Sequence, residues 1–469
     1  MMTEKTASRY LLNLEKHFAN DNPILLKAAK VFQDLDQVEY DLGLIESDET
    51  TACKQSWWPI ISLIGGNSTA KSRFINSYLG SEHLLSGIQT SSHKFTVLLH
   101  NSQPTSATLP GTALDVDPRY PFYQISRKIE QLQAGEGARI NSYLELKTIH
   151  TDRLKGKLFI DAPNISAAPT TPIMSFLTKH ILETSDLVLV FTDAFESATP
   201  LVNELIQTIS THQDSNKFVY IIDEPVAFLN PVNSGELVSS WQKKLSELGL
   251  NTGQFIVLPN QQNSINRQNP LNFSEIDQRM ANVAYDRTYR ILDSLEKNIR
   301  EIENVVMPEV KKGILLWKER ANISSLLVLG FIMTLSVFAE INTGIVLSTV
   351  VDPILGPIAL LVLIAIMIPV HVVFGKLQAK LIITKLIARQ KELHLMENLS
   401  SLFEKGLTFN RILLPISEPV DWNKKTKARL SQLSDKTREL VQALNDNFSS
   451  YTEQAYTNYS ELSNLKERP

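Results

Sequence analysis

Between Ile60 and Gly80 the chain reads IISLIGGNSTAKSRFINSYLG. Ile60, Ile61, Leu63 and Ile64 make a buried-strand run, and Phe74, Ile75, Tyr78 and Leu79 then recur at helical spacing. The turn between them is Gly65, Gly66, Asn67, Ser68, Thr69, Ala70, Lys71 and Ser72. Strand, glycine-rich turn, Lys-Ser and helix in that order make the phosphate-cradling P-loop. Such a turn wraps backbone N–H groups around phosphates, and the helix N-terminus adds its partial positive charge. Lys71 would neutralise the β and γ phosphates while Ser72 holds Mg2+. The pattern asks for Gly before the Lys, and Ala70 stands there, its Cβ crowding a backbone that must approach phosphate closely. An ordinary βα turn with a chance Lys-Ser is the bland alternative, and correct flanks on both sides weigh against it.

Further strands frame this motif. Thr90, Ser91 and Ser92 form a hydroxyl cluster ahead of a strand through Phe95, Val97 and Leu99. In a GTPase-like site this position supplies the Thr that contacts Mg2+ and orients the attacking water. A polar loop before an edge strand explains the same residues equally well. Residues 108–122, TLPGTALDVDPRYPF, read as an irregular Pro/Gly-rich loop. Residues 158–164, LFIDAPN, read as a strand ending in Asp161, at the carboxyl edge where a metal-linked carboxylate belongs. Asn164 takes the place of the Gly in the Asp-x-x-Gly pattern that senses the γ-phosphate. The all-apolar runs at 187–191 and 218–222 have the signature of parallel strands covered on both faces. The second ends at Asp223, the base-reading position, with Tyr220 and Ile221 where Asn and Lys are usual. A strand at 254–258 closes the sheet, and the loop 259–263 is placed beside the base pocket.

A second feature lies downstream. Leu292, Leu295, Ile299, Ile302 and Val306 mark a heptad helix. Residues 325–349 are then apolar apart from Glu340, Asn342 and a few hydroxyls, and 353–374 are continuously apolar. The second stretch is long enough to cross about 30 Å of hydrocarbon. Asp352-Pro353 and Gly356-Pro357 mark a sharp turn between them. Lys311, Lys312, Lys318 and Arg320 precede the pair, and Lys376, Lys380 and Lys385 follow it, so the positive-inside rule predicts a hairpin with both outer ends cytosolic. Two buried core helices are the alternative, although a run such as ALLVLIAIMIPVHVVF is seldom needed in a soluble core. Glu340 adds the option that the first segment dips into one leaflet and returns. Residues 5–45, 377–405 and the heptad from Trp422 through Leu430, Leu433, Leu440, Leu444 and Tyr451 read as helices, with 413–419 as a break.

The expected organisation over 469 residues is therefore N-terminal helices at 1–50, a nucleotide-binding domain at 51–280, a bundle helix at 281–322, a membrane hairpin at 323–375 and bundle helices at 376–469. The fold class is an α/β P-loop domain, mainly parallel sheet with helices on both faces, plus an elongated helical bundle carrying the hairpin. A net charge of −4 gives no general attraction for nucleic acid, and the single Cys53 excludes a disulfide framework and a cysteine-based metal site. The N-terminal MMTEKTASRY lacks the apolar core of a signal peptide, so the bulk of the chain reads as cytosolic. With the positive-inside hairpin, the expectation is both termini and the nucleotide domain on the cytoplasmic side of a membrane.

The order of these motifs resembles the dynamin superfamily, and within it the EH-domain ATPase branch. GGNSTAKSRFINSYLG is similar to that branch's P-loop, TLPGTALDVDPRYPF resembles its post-switch loop, and IDAPNI stands where the family has Asp-Thr-Pro-Gly. The paired apolar segment resembles the membrane-inserting tip of bacterial dynamin-like and mitofusin-like proteins. The resemblance implies nucleotide-driven oligomerisation and membrane bending, tethering or fusion, with Mg2+ and GTP in most members or ATP in the EH-domain branch. It carries the phosphate and metal roles onto Lys71, Ser72 and Asp161, a switch and catalytic role onto Thr90 beside Lys71, and base reading onto Asp223. Ala70, Asn164 and Tyr220-Ile221 each depart in a different part of the site. Weak binding with slow GTP or ATP hydrolysis is one expectation. The alternative is an inactive pseudo-GTPase scaffold partnering an active dynamin-like paralogue, and a pore-forming protein, suggested by Glu340 and His371, is a third. The expected partners are a lipid membrane and further dynamin-like chains, identical or paralogous.

Overall fold

The computed structural model describes residues 8–47, 49–65, 68–80, 93–163, 171–192, 217–223, 234–247, 254–258, 273–393, 395–414 and 416–446. Gly66, Asn67, Thr90, Ser91, Ser92, Asn164, the loop 259–263 and Tyr451 lie outside the described residues, as do the side chains of Ser68, Thr69, Ala70 and Asp223. The chain divides into two compact units, one of Met1–Ala52 with Leu292–Ala443, the other of Cys53–Ile291 with Leu444–Pro469.

Two helices open the chain, α1 (Arg9–Asp21) and α2 (Pro23–Leu42). The Asn22-Pro23 signal works as the sequence suggests: Asn22 Oδ1 accepts the N–H groups of Ile24 and Leu25, both at 3.0 Å. Gly43, at φ 82°, ends α2 in the left-handed region that a side chain would strain.

The second unit is a mixed eight-stranded sheet. In chain order its elements are β1 (Ile60–Gly65), α3 (Ser68–Leu79), β2 (Phe95–His100), β3 (Ala107–Pro110), α4 (Thr112–Val116), α5 (Ile125–Leu132), β4 (Leu144–Ile149), β5 (Leu158–Asp161), α6 (Pro172–Thr184), β6 (Leu187–Thr192), β7 (Phe218–Asp223), α7 (Ser234–Glu247) and β8 (Gln254–Leu258). The strand order is β3-β4-β2-β5-β1-β6-β7-β8. Strand β1 is central, parallel to β5 on one side and β6 on the other. The β2–β5 and β3–β4 pairings are antiparallel and the rest parallel, so the sheet is mainly parallel as the apolar runs predict. Alternate residues feed two cores. Ile60 and Ile64 pack with Leu177 and Ile181 of α6 and Trp241 of α7, while Ile61 and Leu63 pack with Phe74 and Tyr78 of α3.

Residues 108–122 depart from the irregular loop that composition suggests. They contribute β3 and α4, with Leu109 in register with Leu146. Gly111 follows at a point where a Cβ would lie 2.6 Å from the Leu144 carbonyl oxygen. That pairing joins segments distant in sequence, and local patterning does not encode it.

The helical unit begins within α8 (Ser274–Glu301), which a π-turn (Ile302–Val306) joins to α9 (Met307–Thr343). Next come α10 (Ile345–Val351), α11 (Leu355–Glu392), α12 (Leu399–Lys405), α13 (Phe409–Leu413) and α14 (Lys424–Asp446). Two boundaries differ from expectation. The apolar stretch 353–374 and the amphipathic stretch after 377 form one helix, α11, which runs through Pro369 and Gly375. The first apolar segment ends at Gly344, whose φ of 65° stops α9 before the Asp352-Pro353 turn.

Helices α9 and α11 run side by side. The Trp317 indole N–H donates to the Gly375 carbonyl at 2.7 Å, and Ser325 Oγ lies 2.7 Å from His371 Nδ1. Beyond Ser325 and His371 the apolar side chains face outward, Leu326 at 69%, Phe331 at 64% and Leu361 at 65% exposure. Only 11% and 6% of the most apolar windows of the two long helices are buried, which argues against a pair of core helices. Glu340 sits near the end of α9 and accepts the Leu347 N–H at 2.9 Å, so its carboxylate caps α10.

Candidate functional site

The motif residues meet at the carboxyl ends of β1 and β5. Leu63 is in register with Asp161 and Gly65 with Phe191. A Cβ on Gly65 would lie 2.4 Å from the Phe191 carbonyl oxygen, so this glycine is demanded by strand packing before any ligand is considered. Helix α3 starts three residues later and carries Lys71 and Ser72 in its first turns, 2% and 7% exposed. Stacked Phe74 and Tyr78 hold α3 against the sheet, and the Tyr78 hydroxyl donates to Asp277 Oδ1 of α8 at 2.9 Å.

The Lys71 ammonium donates to the Ala162 carbonyl and lies 3.1 Å from Asp161 Oδ1. Asp161 is 6% exposed, and its Oδ1 has no hydrogen bond of normal geometry, so the ammonium meets it as a point charge. A buried ammonium in the first turns of α3 thus meets a buried carboxylate at the end of β5, which puts a charged pair at the carboxyl edge of the sheet. Mg2+ takes oxygen ligands, commonly one or two from carboxylates with the remainder from phosphate and water. Ser72 and Asp161 suit that division, and no cluster of three His, Cys, Asp or Glu side chains among the described residues offers a fuller cage.

Lys71, Ser72, Asp161 and Gly65 are thus brought to one edge of the sheet. The end of β7, where the sequence suggests base reading, is different. Tyr220, which occupies the Asn position, is a core residue, 2% exposed and stacked on Phe255 with ring centroids 5.1 Å apart. Burial pushes its phenol up to about 12. Ile221 is fully buried on the opposite face. Neither side chain can read a base edge. The backbone of Asp223 ends β7 opposite Leu258.

Pattern reading overlooked one group in this unit. Asp186, 1% exposed at the start of β6, accepts the Ile60 N–H and the Arg287 guanidinium. Arg287 and Arg290 fall on a helix read from its heptads, where a charged residue passes for a solvated face.

A strand ending at a glycine turn, a following helix with a buried Lys-Ser and a neighbouring strand ending in Asp define a P-loop nucleotide-binding fold, here on a chain with two long apolar helices. No family model matches the chain, and no curated protein does. Among solved structures it is similar to two described as an oligomerised bacterial dynamin pair that provides a mechanism for the long-range sensing and tethering of membranes. One is 13% identical, with 94% of this chain and 78% of that chain covered and a TM-score of 0.34. The other is 12% identical, with 97% and 77% covered and a TM-score of 0.36. It is also similar to Era in complex with MgGDPNP and nucleotides 1506–1542 of 16S ribosomal RNA, at 15% identity over 47% of this chain and 55% of that one, TM-score 0.28. At that level of superposition the ground for the fold is the sheet order and the Lys71–Asp161 geometry.

Proposed function

We propose that this chain is a dynamin-like, membrane-associated nucleotide-binding protein that oligomerises and tethers, fuses or remodels membranes from a degenerate GTP or ATP site. The observation that carries the reading is the Lys71–Asp161 pair at the ends of β1 and β5, on a chain whose α9 and α11 expose their apolar residues. In this reading Lys71 would bind the β and γ phosphate oxygens in place of the Ala162 carbonyl, and Ser72 and Asp161 would hold Mg2+. Thr90 orients the attacking water, and Asp223 contributes what base reading there is. The divisions at 1–50, 51–280, 281–322, 323–375 and 376–469 belong to the same reading, with both termini and the nucleotide domain on the cytoplasmic side. The test is turnover of Mg2+–GTP and Mg2+–ATP by the purified full chain, with and without liposomes. Slow hydrolysis that rises with lipid is the expected result, and no turnover of either nucleotide under any of these conditions would end the enzymatic reading.

The second reading is a pseudo-GTPase scaffold of the same fold, paired with an active paralogue. It is favoured by Tyr220 and Ile221, which are committed to the cores on the two faces of β7. Calorimetric titration separates the two, since micromolar binding of either Mg2+–nucleotide removes the scaffold reading. The polar groups that suggest a pore have partners within the helices, Glu340 on Leu347 N–H and His371 on Ser325.

A further inference from the structure

The short helix α13 leads into the stretch 413–419, whose sequence suggests only a break. Their position is set by the two long helices. His371 Nε2 of α11 lies 3.2 Å from the Ile412 carbonyl, and the Lys318 ammonium of α9 donates to the Leu414 carbonyl. Gly375 permits the approach: a Cβ there would lie 3.1 Å from Ile412 Cγ2. Ile412 is the buried contact, at 5% exposure. The rest of the segment turns apolar side chains outward, Phe409 at 58%, Leu413 at 39%, Leu414 at 52% and Ile416 at 38%.

The level at which this patch sits is informative. Ser325 and His371 are hydrogen-bonded across α9 and α11, and beyond them both helices are apolar and exposed. At 1.5 Å per residue, α9 from Ser325 to Thr343 and α11 from Leu355 to His371 each span about 25–28 Å. That is close to the hydrocarbon thickness of a bilayer, about 30 Å. The patch therefore lies at the foot of the apolar pair and continues its surface to the depth of the headgroups.

Charge agrees with that depth. Lys318 and Arg411 lie close enough that partial burial, and then the Arg411 charge, lower the Lys318 pKa. Arg411 Nη2 donates to the Glu418 carbonyl at 2.9 Å, while the Glu418 carboxylate is paired with Lys311. Both Lys318 and Arg411 thus spend hydrogen bonds on backbone carbonyls, and among the described residues neither forms an ion pair with a carboxylate.

We infer that residues 409–414 with Ile416 form an interfacial anchor on an anionic lipid bilayer, seating Phe409, Leu413, Leu414 and Ile416 among the upper acyl chains while Lys318 and Arg411 bind lipid phosphates. This rests on the membrane reading of α9 and α11 given above. Aromatic and aliphatic side chains beside basic ones are the composition that suits this depth.

The test uses the full chain in a Cys53→Ser background, with an environment-sensitive fluorophore on Leu414→Cys or, separately, on Leu335→Cys in the middle of α9. Vesicles contain lipids brominated either near the top or near the end of the acyl chain, with phosphatidylglycerol or phosphatidylcholine headgroups. The label at position 414 is expected to be quenched by the shallow bromines, more strongly on phosphatidylglycerol, and the label at 335 by the deep ones. Adding Lys318→Glu and Arg411→Glu should lower the seated fraction on phosphatidylglycerol by about tenfold or more, with the 335 label still quenched as proof that insertion is intact. Quenching at 335 without quenching at 414 overturns the anchor and leaves the membrane reading standing. A 414 label that is shielded from water yet untouched by bromine means that protein covers the patch, which also overturns the anchor. Equal quenching at 414 on both headgroups removes the role given to the two cations. If neither position is quenched, the membrane reading itself falls and takes the anchor with it.

Discussion

Arg287 Nε donates to Asp186 Oδ2 at 2.8 Å, and the two side chains are 3% and 0% exposed. The same carboxylate oxygen accepts the Ile60 N–H at 2.8 Å, while Arg287 Nη1 and Nη2 donate to the carbonyls of Ser56 and Thr184 at 3.1 and 2.8 Å. One guanidinium on α8 therefore ties the entry of the P-loop strand β1 to the turn between α6 and β6. Arg290 Nε stays 3.4 Å from Asp186 Oδ1, so removing Arg287 weakens the compensation of a buried carboxylate without abolishing it, at a loss of about 2–3 kcal/mol. Arg287→Ala is expected to lower stability by that order in denaturant unfolding, and Arg287→Lys by less. A loss below about 1 kcal/mol for Arg287→Ala would contradict a structural role for the pair.

Gly65→Ala is expected to destabilise the sheet even without nucleotide. The new Cβ would come within 2.4 Å of the Phe191 carbonyl oxygen and 2.8 Å of the Phe191 Cβ, which forces β1 and β6 apart. Overpacking of this kind typically costs about 1–3 kcal/mol. The check is thermal unfolding of the nucleotide-free protein, and an unchanged midpoint would refute the close approach.

Stability should also depend on pH through Asp36 in the helical unit. Its Oδ1 accepts the backbone N–H and the hydroxyl of Thr51, both at 3.1 Å, yet burial pushes the carboxyl up to about 6 against those bonds. Because the folded value lies above the ordinary 3.8, this group's contribution to stability is fully present below about 3.8. It is lost as pH rises through about 6. The span corresponds to about 3 kcal/mol at most. Asp36→Asn keeps the acceptor without the charge, and is expected to flatten the profile between these values and to raise stability near neutrality by about 1–2 kcal/mol. Denaturant midpoints across that range measure it, and a profile unchanged by the substitution would rule Asp36 out.

Lys71→Ala removes the cation that the proposed function assigns to the phosphates and also strands the buried Asp161. Binding of Mg2+–GTP or Mg2+–ATP is expected to weaken by about 2–3 kcal/mol, from tens to about a hundredfold. Ala70→Gly acts in the opposite sense by relieving the backbone that must approach the phosphates, and should tighten binding. Calorimetry on both variants reads the pair of effects. If Ala70→Gly leaves the affinity where it was, the alanine is not what limits the site.

Legibility in the sequence followed the range of the interaction. The Asn22-Pro23 helix start, the β1–turn–α3 unit with Lys71 and Ser72, the strand ending in Asp161 and the two apolar helices all rest on residues a few positions apart, where capping, periodicity and burial act locally. Sequence therefore determined by itself most element types and the apolar parallel strands, while 108–122, read as a loop, folds in part as β3 and α4. Only the tertiary structure decided that 107–110 pairs as an edge strand, that Tyr220 belongs to a core, that Arg287 reaches Asp186 and that Phe409 and Leu414 stand at the foot of the apolar pair. Each of these joins residues tens to hundreds of positions apart. A side chain's role there depends on which partner the fold delivers, and pattern along the chain carries no record of that partner.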